Sequence, residues 1–267
     1  MEPNKKKKIV IKLGGSTLTN SKITERICEE ISKIYLEGYL IVIVHGGGNE
    51  INKYLNKLNL TNQFIDGLRY TDEPTMEMVE MVLSGKVNKE IVNELARNAC
   101  NAVGISGKDG NLFKAKPLSN ENLGLVGEVD TIDIKILDIL NNNGYLPVVS
   151  PVGTSAKFVT YNLNADYVAS SLAGAWQADI LCFLTDVDGL LMDIKEPNSI
   201  INEISTQEIN DLISKGIING GMIPKIDCCV KGVELGIKEV FMLNGAKESN
   251  LINKILNNKK IGTTFYR

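Results

Sequence analysis

Short apolar runs alternate with amphipathic stretches along almost the whole chain. The apolar runs are rich in Val, Ile and Leu, which is typical of buried strands, and they predict strands at 9–13, 40–44, 102–105, 123–129, 145–149, 180–184, 240–243 and 262–265. Apolar residues spaced three or four positions apart predict helices at 24–37, 49–58, 133–142, 165–176, 206–215, 223–235 and 250–256. A further helical pattern begins at Thr75, extends to Leu95 and contains Gly85.

This alternation determines the predicted fold class. Strands that alternate with helices form mostly parallel sheets with helices on both faces, and such sheets bind ligands at the carboxyl ends of their strands. A chain of 267 residues is long enough to bury an extensive core without disulfides or metals. No low-complexity linker and no internal repeat divides it, so we expect one continuous α/β sandwich with two lobes.

Charge and composition exclude several classes of protein. The formal net charge of −3 argues against a broad nucleic-acid surface, which needs clustered Lys and Arg. No segment reaches the ~18 apolar residues of a membrane-spanning helix, and the first residues lack the apolar core of a signal peptide, so we expect a cytoplasmic protein. The five cysteines show no C-x-x-C spacing, so we expect them to be reduced and buried.

Two glycine clusters follow the first two predicted strands. Gly14 and Gly15 come after the first strand, and Gly46, Gly47 and Gly48 come after the second. Glycine allows backbone N–H groups to approach an anion closely, and a following helix N-terminus favours negative charge. Tight turns would explain either cluster alone, but two clusters in the same strand–glycine–helix setting favour phosphate binding. Neither cluster matches a Walker loop or the G-x-G-x-x-G dinucleotide fingerprint.

Three charged residues stand at positions that are unfavourable or informative. Lys12 lies inside an apolar strand, where an ammonium group needs a partner unless it reaches solvent at the strand end. Lys225 lies just inside a predicted helix start, where a cation opposes the helix dipole, so it suggests an anionic partner. Asp166 fits either an ordinary first-turn acid or a site residue. The single histidine, His45, gives little support for a metal site or a Ser-His-Asp triad.

A kinase that acts on a carboxylate fits this inventory. Its nucleophile is already ionised at neutral pH, so it needs no general base, and catalysis consists of positioning and charge neutralisation. Two lysines and a Mg²⁺ ion that binds through the phosphates of ATP are sufficient, without a dedicated protein metal site.

The chain resembles the amino-acid kinase family over most of its length. Eight short stretches carry the resemblance, in the family's order: IKLGG (11–15), VHGGG (44–48), DGLRYTD (66–72), GKVNK (85–89), GISGKDG (104–110), YNLNAD (161–166), LTDVDG (184–189) and GGMIPK (220–225). The resemblance implies an open three-layer α/β/α sandwich around a mostly parallel eight-stranded sheet. It also implies one domain of two lobes, with acceptor binding and dimerisation in 1–175 and nucleotide binding in 176–267.

Within the family, the similarity is greatest to members that phosphorylate the side-chain carboxylate of N-acetyl-L-glutamate with ATP and Mg²⁺ in arginine biosynthesis. It implies that Lys12 and Lys225 stabilise the transferring phosphoryl group and that Asp166 organises both. Arg69 and Asn162 would hold the acceptor. The remaining implied contacts are backbone groups of Gly14, Gly15, Gly46, Gly47 and Gly48 to phosphates and acceptor, and Thr185 and Asp186 to the nucleotide.

Alternatives remain at the level of the acceptor and of regulation. Acetylaminoadipate is one methylene longer than acetylglutamate, a difference worth only about 1–3 kcal/mol in a pocket. A ligand sensor on the same scaffold should have lost Lys12, Asp166 or Lys225, and all three are present. Arginine-inhibited members carry a longer N-terminal helix and a glutamate where this chain has Lys254, so we expect a homodimer that is insensitive to arginine.

Overall fold

The structure is a computed structural model that describes residues 6–14, 16–60, 62–65, 67–119, 121–193, 195–196 and 199–267. Gly15 and Asp66, which the sequence analysis singled out, lie outside these residues. The strands of the described part are β1 (Lys8–Leu13), β2 (Leu40–His45), β3 (Phe64–Ile65), β4 (Leu68–Arg69), β5 (Ala102–Ser106), β6 (Phe113–Pro117), β7 (Val126–Ile132), β8 (Leu146–Ser150), β9 (Val152–Thr154), β10 (Thr160–Leu163), β11 (Ile180–Thr185), β12 (Leu190–Leu191), β13 (Ile200–Ile201), β14 (Glu203–Ser205), β15 (Glu239–Asn244) and β16 (Thr263–Tyr266).

Seven of the fifteen connections between these strands contain α-helices. The α-helices of the described residues are α1 (Ser21–Leu36), α2 (Gly48–Lys57), α3 (Glu73–Glu80), α4 (Asn88–Arg97), α5 (Lys135–Asn142), α6 (Ala165–Ala175), α7 (Ile209–Ser214), α8 (Met222–Glu234) and α9 (Asn250–Ile255). A π-helical stretch, Met81–Val87, joins α3 to α4, so the long predicted helix is present with a change of winding around Gly85. None of the helices in the described ranges is both long enough and apolar enough to cross a bilayer.

An eight-stranded sheet forms the centre of the described structure. Its strand order is β14-β16-β15-β11-β1-β2-β8-β5, and neighbouring strands are parallel except at the β15–β16 pair. The predicted fold class, an α/β sandwich around a mostly parallel sheet, is therefore confirmed. Strand β14, which completes the sheet at one edge, was not predicted because its three residues carry too short a pattern.

The alternating side chains of β1 show how the two faces of the sheet are covered. Ile9, Ile11 and Leu13 belong to one apolar cluster, with residues of α1 to α4 and α9. Val10 belongs to the other cluster, with residues of α5 to α8. Because successive side chains of a strand point to opposite faces, Lys12 lies on the same face as Val10. This face is the one covered by α6 and α8, which carry Asp166 and Lys225.

A small closed barrel of β6, β7, β9 and β10 stands beside the sheet. The prediction placed one strand here, at 123–129, within the central sheet pattern. The observed strand is Val126–Ile132, it pairs with β6 and β10, and a 3₁₀ turn occupies Glu121–Leu123. The other three barrel strands were missed because they are only three to five residues long and none contains a run of apolar residues: β6 is FKAKP, β9 is VGT and β10 is TYNL.

All five cysteines are free and buried, as predicted. Burial raises the pKa of both Cys28 and Cys228 to about 12. These thiols are therefore neutral at physiological pH, and they pack as small apolar side chains.

Candidate active site

Lys12 enters the site from a central strand of the sheet. It pairs in register with Val44 of β2 and Phe183 of β11, and only 4% of the residue is exposed. A buried ammonium group needs a charged or polar partner. Lys12 finds one at the carboxyl end of the sheet, where its Nζ lies 2.7 Å from Oδ1 of Asp166.

Asp166 is held in place by the start of α6. The side chain of Asn164 caps this helix by accepting a hydrogen bond from the Asp166 N–H at 2.8 Å. The second carboxylate oxygen of Asp166 lies 3.6 Å from Nζ of Lys225, which α8 contributes from the far end of the sequence. One carboxylate therefore joins the two lysines that the sequence singled out.

The charge state of Asp166 follows from these contacts. Burial alone would raise the pKa of its carboxyl group, but the ammonium groups of Lys12 and Lys225 outweigh that effect and hold the pKa below its ordinary value. The carboxylate is thus ionised at neutral pH. With two cations and one anion, the cluster carries an excess positive charge that suits an anionic ligand.

The glycine clusters lie next to these charges. The Gly14 N–H donates to Leu184 O at 3.1 Å, and the Gly46 N–H donates to Leu13 O at 3.0 Å, so the turns after β1 and β2 are attached to the ends of neighbouring strands. Gly47 is the N-cap of α2, and a Cβ atom there would lie 2.6 Å from a methyl group of Leu83. A larger residue at this position would have to displace the side chain of Leu83 in the π-helical stretch.

Arg69 is the third cation of the site. It follows Gly67 on the β3–β4 hairpin, and its guanidinium lies 4.7 Å from the Phe64 ring. Its Nη atoms donate to side-chain oxygens of Asn52 and Asn62 and to the carbonyl oxygen of Gly48.

These acceptors around Arg69 are all neutral. Burial lowers the pKa of Arg69 to about 10, so it remains cationic at neutral pH. None of the described residues gives this guanidinium a carboxylate partner, which leaves a buried positive charge for a ligand to neutralise.

Asn162 lies opposite Arg69. Its Nδ2 donates to Thr71 Oγ1 at 3.2 Å, and that hydroxyl donates to the carbonyl oxygen of Arg69 at 2.9 Å. The amide of Asn162 is thus oriented by the backbone of the segment that carries Arg69.

These groups surround a cleft of about 430 Å³, which we call the main cleft. Of the residues named by the sequence analysis, seven line it: Lys12, Gly46, Gly47, Gly48, Arg69, Asn162 and Asp166. The sequence analysis gave no role to the other eleven lining residues, among them Asn164 and Leu68. Asn164 could have been found as the helix cap two residues before Asp166, whereas Leu68 gave no signal except its position beside Arg69.

A second cavity, of about 390 Å³, lies in the C-terminal part of the chain, and we call it the C-terminal cavity. Its walls come from the segment after β11 and from the loop before α8, and sequence analysis did not identify them: Val187, Gly189–Asp193, Lys215–Ile217, Asn219 and Met222. Met222 is the first residue of α8 and Lys225 the fourth, so this helix start connects the cavity to the charged cluster.

Thr185 and Asp186 lie at the carboxyl end of β11, between the two cavities along the chain. Thr185 is buried, and its hydroxyl lies within hydrogen-bonding distance of the carbonyl oxygens of Val187 and Leu243, at 3.0 and 3.3 Å. Asp186 is exposed to solvent. Neither residue, nor Gly14, is among the residues that line the main cleft or the C-terminal cavity.

The arrangement places paired ammonium groups at the carboxyl ends of parallel strands, and the sequence agrees with a known family. The profile of the family described as "Amino acid kinase family" matches residues 7–244. The chain belongs to the amino acid kinase family. The acetylglutamate kinase of Trichodesmium erythraeum is 45% identical over 257 residues, which are 96% of this chain and 88% of that protein.

Solved structures give the same result for the fold. A Streptococcus mutans protein superposes with a TM-score of 0.82 and 27% identity over 97% of this chain and 98% of its own. The carbamate kinase of Giardia superposes with a TM-score of 0.74 over 98% of this chain and 99% of its own, at 18% identity. The central sheet described above is thus the fold of an amino acid kinase.

Proposed function

We propose that this amino acid kinase transfers the γ-phosphoryl group of ATP to the side-chain carboxylate of N-acetyl-L-glutamate, forming N-acetyl-L-glutamyl 5-phosphate and ADP. The single observation that carries this proposal is the Lys12–Asp166–Lys225 cluster, in which one carboxylate contacts both ammonium groups at 2.7 and 3.6 Å. The relative from Trichodesmium erythraeum, named acetylglutamate kinase, supports this choice of acceptor. The reaction is the phosphorylation step of arginine biosynthesis.

The main cleft supplies the acceptor site. A dicarboxylate such as acetylglutamate needs one carboxylate fixed and the other free to react. Arg69 binds the fixed carboxylate with its planar guanidinium, and Asn162 binds the same end of the molecule or its acetamido group. The reacting carboxylate then lies near Lys12 at the Gly46–Gly48 loop, next to the backbone N–H groups of Gly47 and Gly48.

Phosphoryl transfer requires no general base at this site. An oxygen of the side-chain carboxylate attacks the γ-phosphorus, the bond from that phosphorus to the bridging oxygen breaks, and ADP leaves with the electron pair. Lys12 neutralises charge on the acceptor side of the migrating group, and Lys225 does so on the nucleotide side. Asp166 keeps both ammonium groups in position, so that little reorganisation is needed when charge develops.

We assign the nucleotide to the C-terminal part of the chain. The C-terminal cavity, at about 390 Å³, suits an adenosine group. Phosphates that extend from it toward Lys225 pass the carboxyl end of β11, where Thr185 and Asp186 lie, and Gly14 at the end of β1. The acceptor and dimerisation lobe is then 1–175, and the nucleotide lobe is 176–267.

Magnesium fits this arrangement as a companion of ATP. Within the described ranges, no three His, Cys, Asp or Glu side chains are clustered as metal ligands. Mg²⁺ keeps several of its waters and binds through substrate phosphates, where it neutralises charge. We therefore assign no side chain to it. We also assign the protein to the cytoplasm, as a homodimer whose substrates are small molecules.

Trapping of the acyl phosphate tests the proposed function. Hydroxylamine converts an acyl phosphate to a hydroxamate, so the assay combines enzyme, ATP, Mg²⁺ and hydroxylamine with acetylglutamate, acetylaminoadipate or unacetylated glutamate. We expect the highest kcat/KM with acetylglutamate. A protein that forms no hydroxamate with any acceptor would not be this kinase, and a preference for acetylaminoadipate would reassign the acceptor.

A further inference from the structure

A polar cluster, buried except for the exposed Lys89, lies next to the Gly46–Gly48 loop and has no role in the transfer described above. Its members are His45, Asn88 and Lys89, on β2 and α4, together with backbone carbonyl groups of β5 and β8. His45 and Asn88 are both fully buried. When every donor and acceptor of a buried polar group is paired, the positions of its hydrogen atoms are fixed. The hydrogen bonds of each group therefore determine which of its atoms donate and which accept.

Lys89 determines the orientation of the Asn88 amide. The Lys89 Nζ lies 3.0 Å from Asn88 Oδ1 and 2.8 Å from the carbonyl oxygen of Gly104. An ammonium group can only donate hydrogen bonds. The Asn88 oxygen must therefore face Lys89, and the NH₂ group must face the other way.

The Asn88 amide in turn determines the tautomer of His45. The Asn88 Nδ2 lies 2.9 Å from the Val148 carbonyl oxygen and 3.1 Å from His45 Nε2. Since an NH₂ group only donates, Nε2 must accept, and the neutral imidazole carries its proton on Nδ1. The opposite side of the ring gives the same answer independently: Nδ1 lies 2.8 Å from the Gly46 carbonyl oxygen, which can only accept.

The imidazole is also kept neutral. Burial and, to a smaller extent, the nearby Lys89 ammonium together lower the pKa of His45 to about 4, although the Gly46 hydrogen bond opposes them. Only one arrangement of protons satisfies all of these contacts.

The contact with Gly46 acts on the loop that lines the main cleft. A trans peptide group is planar, and its C=O and N–H point in opposite directions. An imidazole that holds the Gly46 carbonyl therefore turns the N–H of Gly47 away from His45, on the opposite side of the loop. None of the described residues accepts a hydrogen bond from the N–H of Gly47 or Gly48, which leaves both donors available to a ligand.

We propose that His45 is a positioning residue for the phosphorylation reaction: in its Nδ1–H tautomer, set by Asn88 and Lys89, it fixes the Gly46–Gly47 peptide so that the Gly47 N–H donates to the acceptor carboxylate. The proposal rests on the proposed function, because it needs an anionic acceptor in the main cleft. It differs from a purely structural role in that the proton on Nδ1, and not the bulk of the ring, is what the site requires.

The first experiment compares two substitutions that each keep one half of the imidazole. In His45→Asn the amide NH₂ can replace the Nδ1–H donor to Gly46, whereas in His45→Gln the amide reaches the Nε2 position. We expect His45→Asn to retain most of the kcat/KM for acetylglutamate. We expect His45→Gln to lose about 10²-fold, as displaced catalytic groups do, with the KM for ATP near that of the wild type.

A second pair of variants tests the support behind His45. A Cβ atom at Gly104 would lie 1.8 Å from Asn88 Oδ1, whereas one at Gly85 would meet nothing within 4 Å. Neither glycine has a positive φ. Gly104→Ala should therefore displace Asn88 and reproduce the kinetic defect of His45→Gln, and Gly85→Ala is the matched control.

The tautomer itself can be observed because the chain has a single histidine. In untagged protein labelled with ¹⁵N-histidine, we expect Nδ1 to be protonated and Nε2 to be unprotonated. Acetylglutamate should shift the Hδ1 signal, because a ligand that accepts from the Gly47 N–H polarises the peptide whose oxygen accepts from His45. This measurement uses the wild type, so it decides the question even if the variants fail to fold.

The outcomes separate the two proposals. A wild type that forms no acyl phosphate contradicts the proposed function. An active wild type contradicts the positioning role if Nε2 carries the proton, if acetylglutamate leaves the Hδ1 signal unchanged, or if folded His45→Asn and His45→Gln lose activity equally. The expected tautomer, the ligand-dependent shift and the Asn–Gln difference together would establish it.

Discussion

Lys12 and Lys225 contact the same carboxylate although they lie near opposite ends of the chain. If both stabilise the migrating phosphoryl group, then Lys12→Arg and Lys225→Ala should lower kcat by about 10²–10³-fold, because interactions made mainly in the transition state act on kcat. The KM values should change much less. Lys238, which pairs with Asp179 at the surface, offers the control Lys238→Ala. A variant at either site lysine that keeps nearly full kcat would refute its assigned role.

Arg69 allows a prediction about binding, as distinct from turnover. Lysine keeps the positive charge but cannot form the planar two-pronged contact with a carboxylate. Arg69→Lys should therefore raise the KM for acetylglutamate by roughly 10- to 100-fold, the loss expected for a hydrogen bond to a charged group, and leave the KM for ATP almost unchanged. Steady-state kinetics with each substrate varied in turn measures both values. Equal changes in the two KM values would contradict the assignment to the acceptor.

His45 gives a prediction about pH. Its pKa is about 4 in the folded protein, against an ordinary value of 6.5, so the unfolded chain binds a proton more readily between these two pH values. Stability from this group is therefore complete above pH 6.5, and it falls as the pH drops toward 4. At pH 5 the loss should be about 2 kcal/mol relative to pH 7.

Urea unfolding at pH 7 and pH 5 measures that loss in the wild type. The same experiment on His45→Asn measures the loss that comes from the carboxylates common to both proteins, so the difference between the two losses belongs to His45. If the variant loses as much stability as the wild type, then the imidazole does not remain neutral in the folded state.

Among the secondary-structure elements, the agreement between sequence and structure depends on the length of the apolar run in each one. The strands β1, β2, β8, β11 and β15 have almost wholly buried residues, and each was predicted within one or two residues of its observed ends. The barrel strands β6, β9 and β10 were missed. All three are short, and in β6 the side chains of Lys114 and Lys116 interrupt the apolar pattern. The barrel is therefore specified by contacts between strands that local periodicity does not record.

The contact between α1 and α9 shows how two elements depend on one side chain. The carboxylate of Glu30, on α1, accepts hydrogen bonds from the backbone N–H groups of Ser249, Leu251 and Ile252 at 2.8, 3.0 and 3.2 Å. Glu30 is only 5% exposed. Removal of the carboxylate would leave the buried N–H of Leu251 and the half-buried N–H groups of Ser249 and Ile252 without this acceptor near a helix start.

Glu30→Ala should accordingly lower the free energy of unfolding by about 3 kcal/mol. The neighbouring Glu29 forms only an exposed pair with Lys33, so Glu29→Ala is a matched control that should cost less than about 0.5 kcal/mol. Urea unfolding of the two variants beside the wild type gives the comparison. Similar losses in both would mean that the N–H groups of α9 find water instead.

In the molecule as a whole, the charged residues of the candidate site were easier to predict from the sequence than the walls of the C-terminal cavity. Lys12 and Lys225 stood out because each is a cation at a position where it needs an anionic or polar partner, whereas Asp166 was assigned only through the family resemblance; the structure brings all three together. The C-terminal cavity gave no such signal. Its walls come from two separated segments of mostly ordinary residues, Val187–Asp193 and Lys215–Met222, and only the packing of the chain makes them a cavity.

At the scale of the whole molecule, the surroundings of Lys254 allow a prediction about inhibition by arginine. Lys254, half-buried on α9, donates to Thr264 Oγ1 at 2.7 Å, and its ammonium lies 5.2 Å from the Phe241 ring. A cation held there repels a guanidinium. We therefore expect millimolar L-arginine to leave the rate of acyl phosphate formation unchanged, and sedimentation velocity to show a homodimer with and without arginine. Inhibition at micromolar arginine would contradict the prediction, because it requires an effector site that tolerates the guanidinium beside Lys254. A hexamer in either condition would also contradict it, because it requires an assembly contact beyond the dimer.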